Sequence, residues 1–187
     1  MAEFFDALTD AHRAFIARQP MFFVATAARN GRVNLSPKGL DCFRVLDAHR
    51  VAYLDLGGSG NETHAHLAAD GRITIMFCAF DNPALILRLY GHGRFVVAGD
   101  PDYAAAAAPF PRLPGARQVF EIAVESVHTS CGWGVPRMTL DRERETLVKY
   151  HAQVDPDARL AKIAGRTHSI DGLPVRVQAV IPAFEPR

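Results

Sequence analysis

Tyr53-Leu54-Asp55-Leu56 reads as a strand that runs straight into Gly57-Gly58-Ser59-Gly60-Asn61, and Glu62-Thr63-His64-Ala65-His66-Leu67 opens a helix directly after it. A glycine-rich turn at a helix start exposes successive backbone N–H groups. That geometry suits an anion, and phosphate is the natural candidate. Three glycines and a serine can also turn a corner with no ligand at all, so the turn alone leaves both readings open. Two nearby features could bring a cation to it: Ser36-Pro37-Lys38-Gly39 and Phe43-Arg44-Val45. If residues 33–47 run beside residues 51–56, Lys38 or Arg44 can face an anion held by Ser59 to Thr63. The plainer alternatives are a solvated strand arginine and a lysine at a sheet edge.

Other side chains weigh less. His64 and His66 stand two apart on a helix and so do not share a face, which argues against a metal pair. Cys42, Cys78 and Cys131 are far apart and odd in number, so neither a disulfide framework nor a Cys-x-x-Cys site is suggested. His92 lies between two glycines on a strand, and Asp141-Arg142-Glu143-Arg144-Glu145 reads as a solvated helix face.

The elements that must position these groups come in the order helix, strands, helices. Phe4, Leu8, Ala11 and Phe15 recur at helical spacing and predict a helix over 3–17, stopped near Pro20. Residues 22–26 read as a strand, and Asn30-Gly31 signals a tight hairpin returning through Val33 to Ser36. Strands are expected over 43–47, 51–56, 72–80, 84–97 and 118–128. Gly91 and Gly93 mark a bend in the long one. Residues 61–69 form a short helix, the alanine-rich stretch after Pro101 is helical, and two charged helices follow over 141–151 and 157–164. About six antiparallel strands without regular strand–helix alternation favour a small closed barrel over a parallel sheet. The chain reads as one domain, with the barrel at about 20–130 and a helical segment at about 138–187.

Lys+Arg 21 against Asp+Glu 20 gives a net charge of +1, which removes any global attraction to nucleic acid or an anionic membrane. No apolar run approaches a membrane span, and the first ten residues carry Glu3, Asp6 and Asp10 rather than a secretory signal. A cytoplasmic protein is expected.

Ser36-Pro37-Lys38-Gly39, Gly58-Ser59-Gly60-Asn61-Glu62-Thr63 and Ile86-Leu87-Arg88-Leu89-Tyr90-Gly91 occur in the order seen in the pyridoxamine 5'-phosphate oxidase-related, FMN-binding split-barrel family. Cys131-Gly132-Trp133-Gly134-Val135-Pro136 and Ser169-Ile170-Asp171-Gly172-Leu173-Pro174 resemble the carboxy-terminal signatures of an uncharacterised branch of it. The resemblance spans about Phe22 to Pro174. It implies a mainly β (α+β) fold, a six-stranded antiparallel split β-barrel of the FMN-binding type flanked by amino- and carboxy-terminal α-helices. It also implies a homodimer with one FMN in each of two clefts at the subunit interface. Carried over by position, Lys38 and Arg44 are charge partners of the ribityl phosphate, and Ser59, Gly60, Asn61 and Thr63 form the turn that binds it. Leu54 and Asp55 would lie along the isoalloxazine edge, with Arg88 and Trp133 as further cofactor contacts from the other subunit.

Two departures from the family pattern matter. Glu62 stands where a basic residue is expected, and a carboxylate repels phosphate unless it is turned aside. The Arg-x-His arrangement that grips the pyridoxal substrate in the oxidase proper is not supplied by His168-Ser169-Ile170. The resemblance therefore implies an FMN-dependent oxidoreductase acting on a small molecule other than pyridoxamine phosphate. A non-catalytic flavin-binding or redox-sensing module, or the same barrel using a deazaflavin or haem, is the alternative. No glycine fingerprint for a nicotinamide cofactor is present.

Overall fold

The computed structural model describes residues 2–182; the end of the helical segment expected to reach 187 lies outside the described residues. Eight strands and five helices follow in the order β1 (Glu3–Phe5), α1 (Asp10–Ala17), β2 (Phe22–Thr26), β3 (Asn34–Lys38), β4 (Phe43–Val45), β5 (Arg50–Leu56), α2 (Glu62–Ala69), β6 (Arg72–Cys78), β7 (Ile86–Val97), α3 (Tyr103–Ala107), β8 (Ala116–Ser130), α4 (Thr146–Gln153) and α5 (Pro156–Ala164). All pairings are antiparallel. The sheet runs β3-β2-β6-β7-β8-β5-β4, with β1 also paired to β8. It is a curled half-barrel, consistent with a split barrel. It has eight strands against the six of the expected barrel: each of the seven segments read as strands forms one, β2 to β8, and β1 joins the sheet as well.

The amino-terminal helix expected over 3–17 begins only at Asp10. Thr9 caps it, accepting a hydrogen bond from the His12 amide while the His12 ring accepts from the Thr9 amide. Before that cap, Glu3 to Phe5 pair with Val127 to Thr129, and Phe4 stacks on His128. Partners 122 to 126 positions away override the local periodicity.

β5 lies at the centre of the packing. Val51, Ala52, Tyr53 and Leu54 are all buried, and a strand covered on both sides need not alternate. Tyr53 packs among Phe22 and Phe120, and Phe43 and Phe77 extend the aromatic cluster. β7 and β8 pair along most of their length with a register shift at Tyr90/Gly91, the bend the glycines signalled. A Cβ at Gly91 would collide with the Ala123 carbonyl.

The two carboxy-terminal helices return over the β5–α2 turn. α4 starts at Thr146 rather than 141, since the exposed run 141–145 has no apolar face to bury. Asp155 caps α5 by accepting from the Ala158 amide. Beyond α5, the Arg176 amide donates to His64 Nε2 at 3.1 Å, and Asp171 accepts from the Arg32 amide at 2.7 Å, fastening the segment to the barrel. Among the described residues no helix is long and apolar enough to cross a membrane.

Candidate functional site

The glycine turn is held by its carbonyls. His151 Nε2 donates to the Gly57 carbonyl at 2.7 Å, and the Arg166 guanidinium donates to those of Gly58 and Ser59 at 2.9 and 3.1 Å. Arg117 donates to the Gly60 carbonyl at 2.9 Å. Four consecutive carbonyls thus point at basic side chains from β8 and the carboxy-terminal segment. Among the described residues, the amides of Gly58, Ser59, Gly60 and Asn61 meet no acceptor, whereas the Gly57 amide donates to the Gly115 carbonyl at 2.8 Å.

Beneath the turn sits a buried charge network. Asp55, 1% exposed, accepts from Lys38 Nζ at 2.9 Å, Arg117 Nε at 2.6 Å and Gln118 Nε2 at 2.9 Å. Burial alone would raise its pKa, but the adjacent Arg117 and Lys38 outweigh it and hold the carboxyl well below the ordinary aspartate range. The Gln118 amide also donates to Asn61 Oδ1 at 2.8 Å, leaving its oxygen to accept from His64 Nδ1 at 2.9 Å. His64 Nε2 accepts the Arg176 amide, so both ring nitrogens have fixed roles and the ring is neutral. Burial lowers its pKa, in keeping with that state. His66 faces elsewhere, its Nδ1 3.0 Å from Thr26 Oγ1. Asn34 Nδ2 donates to Thr63 Oγ1 at 3.2 Å beside it.

A cavity of about 360 Å³ borders the turn, lined by Gly57, Gly58, Ser59 and Asn61 together with the basic side chains that hold its carbonyls. Arg117, Arg159, Lys162, Arg166 and Arg176 line it, and among the described residues no Asp or Glu does. Arg176 is neutralised by Asp100 at 2.8 Å and Arg117 by Asp55. Arg159 is 6% exposed and donates only to the Gly115 carbonyl, at 2.7 Å. Glu62, the residue out of keeping with a phosphate site, accepts from the Ile170 amide at 3.1 and 3.3 Å and so anchors the returning segment.

The structure brings some of the expected residues together and separates others. Ser59 and Asn61 line the cavity, Gly60 presents its carbonyl to Arg117, and Thr63 is buried against Asn34. Lys38 lies under the turn as a partner of Asp55, while Leu54 is a core residue, 2% exposed. Arg44 is bound to Asp41 at 2.7 Å and to the Pro109 carbonyl at 2.8 Å, over the Phe110 ring. Arg88 donates to Ser130, and Trp133 is 84% exposed. None of Arg44, Arg88 and Trp133 lines the cavity. The sequence reading missed Arg117, Gln118, His151, Arg159, Lys162, Arg166 and Arg176. One signal for part of that set was available: residues 158–166 carry three cations and no acid.

Residues 8–131 match the family model described as pyridoxamine 5'-phosphate oxidase. The pyridoxamine 5'-phosphate oxidase family protein ustO of Aspergillus flavus is 43% identical over 151 residues, covering 78% of this chain and 61% of that protein. The chain thus spans about three-fifths of the length of that relative. Among solved structures, Group A Streptococcus HupZ aligns with a TM-score of 0.51 at 26% identity, covering 64% of this chain and 91% of the other. A putative pyridoxamine 5'-phosphate oxidase from Lactobacillus delbrueckii shares the fold, with a TM-score of 0.54 at 17% identity over 66% and 94% of the two chains. Four of the five cavity cations, all but Arg117, lie beyond the family-model match. With two-thirds of its length under that model and a relative at this identity, the chain belongs to the pyridoxamine 5'-phosphate oxidase family.

Proposed function

We propose that the chain binds FMN, with the phosphate on the amide side of the Gly57 to Thr63 turn, and uses it to oxidise or reduce a small molecule. The observation that carries this reading is the division of the turn. Basic side chains hold its carbonyls, and its amides from Gly58 to Asn61 stay free to donate to an anion. Ser59, Asn61 and Thr63 add side-chain donors beside them, and the Lys38–Asp55–Arg117 group keeps a net positive charge under the turn. Asp55 aims Lys38 and Arg117 and holds them fixed, so they need no reorganisation to meet a phosphate. Membership of the family supports a flavin as the ligand. When bound, the isoalloxazine supplies the electron chemistry, and the protein supplies position and a shielded face.

The reading is completed by a homodimer with FMN in each of two interfacial clefts. Arg88 and Trp133 lie away from the turn of their own chain, so they reach the flavin only across that interface. Purified protein should be yellow and release FMN on denaturation; a colourless protein that refuses added FMN would count against the proposal. Lys38→Ala should weaken FMN binding by about 1–3 kcal/mol, the scale of a charge-assisted hydrogen bond, measured by fluorescence titration. Arg44→Ala should leave it nearly unchanged, because that guanidinium is already engaged by Asp41 and Pro109. Equal losses in both variants would move the phosphate off this turn. Bound FMN that neither NADH nor NADPH reduces would favour a flavin-binding module over an oxidoreductase.

A further inference from the structure

A buried amide beneath the turn reaches both the turn and the carboxy-terminal segment. Gln118, 1% exposed on β8, donates from Nε2 to Asp55 at 2.9 Å and to Asn61 Oδ1 at 2.8 Å, and its Oε1 lies 2.9 Å from His64 Nδ1. Charge dictates its orientation. Asp55 is ion-paired to Lys38 and Arg117, so its carboxylate only accepts, and the NH2 end of Gln118 must face it. Two consequences run outward from there. Asn61 must offer its oxygen to Gln118, so although Asn61 precedes α2 its side chain does not cap that helix, and among the described residues its Nδ2 meets no acceptor. On the other side, Gln118 Oε1 can only accept, so His64 carries its proton on Nδ1 and its Nε2 is an acceptor, which takes the Arg176 amide at 3.1 Å. The His64 ring is 1% exposed and stacks on Phe95 at 3.7 Å, which holds its plane.

The returning chain is therefore fastened in two ways. Arg166 donates to the turn itself, at Gly58 and Ser59. Arg176 makes no hydrogen bond to the turn among the described residues: its amide goes to His64 and its guanidinium to Asp100. We propose that Gln118 is a positioning residue that couples the turn to the Arg176 stretch, so that cofactor occupancy is transmitted to a part of the chain beyond the family-model match. An anion on the amide side of the turn accepts from Asn61 Nδ2 and fixes the Asn61 side chain. Asn61 then fixes Gln118, Gln118 fixes the His64 tautomer, and His64 holds the Arg176 amide. The effect is reciprocal, and releasing Arg176 weakens the anion by the same factor. The response to a ligand rests on the flavin reading; the setting of His64 by Gln118 does not.

Nitrogen-15 NMR of the full chain, with and without FMN, tests it. The wild type should show His64 as the Nδ1–H tautomer and a protected Arg176 amide, and saturating FMN should slow exchange of that amide by about fivefold. Gln118→Met removes donor and acceptor together. It should move His64 toward the Nε2–H tautomer, speed Arg176 amide exchange about tenfold, as expected for one lost hydrogen bond, and abolish the response to FMN. Gln118→Glu keeps an acceptor for His64 but has no NH2 for Asn61, so it should keep the tautomer and the Arg176 protection while losing the FMN response. A Gln118 that merely packs would lower protection across β7 and β8 and leave the tautomer alone. Should Gln118→Met fail to fold, Arg176→Pro, which deletes the amide, should bind FMN about fivefold more weakly than Arg176→Ala, which keeps it, and the difference should vanish when Gln118→Glu is added. The proposal is overturned if Gln118→Met folds with the wild-type tautomer and Arg176 exchange, or if FMN binds the wild type without slowing that amide. A protein that refuses FMN sinks the flavin reading and the ligand response with it, and the positioning role then stands or falls on the His64 tautomer in Gln118→Met.

Discussion

The two sides of one glycine turn handle positive charge in opposite ways. Below the turn, Lys38 and Arg117 close on Asp55, and the carboxylate, though buried, is fully engaged by three donors. Above it, Arg159, Lys162 and Arg166 converge with no carboxylate among the lining residues. The first arrangement is complete within the protein, so it serves stability and aims the groups under the turn. The second lacks a counter-charge, and it rests instead on neutral acceptors, the Gly115, Gly58 and Ser59 carbonyls and the Tyr150 hydroxyl.

The most damaging way to break the contrast is Asp55→Asn. It removes the counter-charge of Lys38 and Arg117 in a buried setting and should lower unfolding stability by about 3–5 kcal/mol in chemical denaturation. A loss under about 1 kcal/mol would show that the two cations reach solvent and need no partner. Asp55 also gives the wild type a pH signature. Its pKa is depressed in the fold, so its contribution is present above the ordinary aspartate value near 4 and is lost as pH falls below it. The variant should lack that acid limb.

A smaller effect is expected above the turn. Gly115 has φ of +93°, and a Cβ there would collide with the His151 ring, which packs against both Gly115 and Gly57. Gly115→Ala should cost about 2 kcal/mol, from left-handed backbone strain and the displaced ring. The damage should be local, with amide exchange accelerated in α4 and α5 and protection retained in β7 and β8. Uniform loss of protection would mean that the carboxy-terminal segment is integral to the barrel and not a layer added to it.

This layering also explains what could be read in the sequence. The antiparallel return of β3 onto β2, the bend at Gly91 and the strand–turn–helix at 53–67 are encoded by neighbouring residues and were legible, although the connection at Asn30-Gly31 is a loop over 27–33 and not the tight hairpin expected. The cavity is not local: Arg117 reaches Gly60 across 57 positions and Arg166 reaches Gly58 across 108. Arg159, Lys162 and Arg166 have the spacing of any solvated helix face, and only the fold that brings them to the turn gives them a role. Lys38 was identified by its proximity, but its partner is Asp55, a residue read as a flavin contact. Phe4 failed in the opposite sense. Its spacing to Leu8 and Phe15 fits a helix, and only its pairing with β8 reveals a strand.

The mildest perturbation is pH in the range where histidine titrates. His151 donates to the Gly57 carbonyl and His64 sits between Gln118 and the Arg176 amide, so both bind the carboxy-terminal segment to the turn. Both have lowered pKa values. Burial is the main cause in each, and nearby Arg159 and Arg117 add to it at His151. A histidine whose folded pKa lies below its unfolded value near 6.5 takes up protons on unfolding, so stability is held above that value and lost as pH falls beneath it. The slope cannot exceed about 1.4 kcal/mol per pH unit for each ring. Amide exchange in α4 and α5 should therefore rise between pH 6.5 and 5 while the β7–β8 pairing stays protected. His151→Gln, which keeps a donor for Gly57 and cannot charge, should flatten part of that rise. If acid loosens the barrel and the segment together, the two sides of the turn are one cooperative unit.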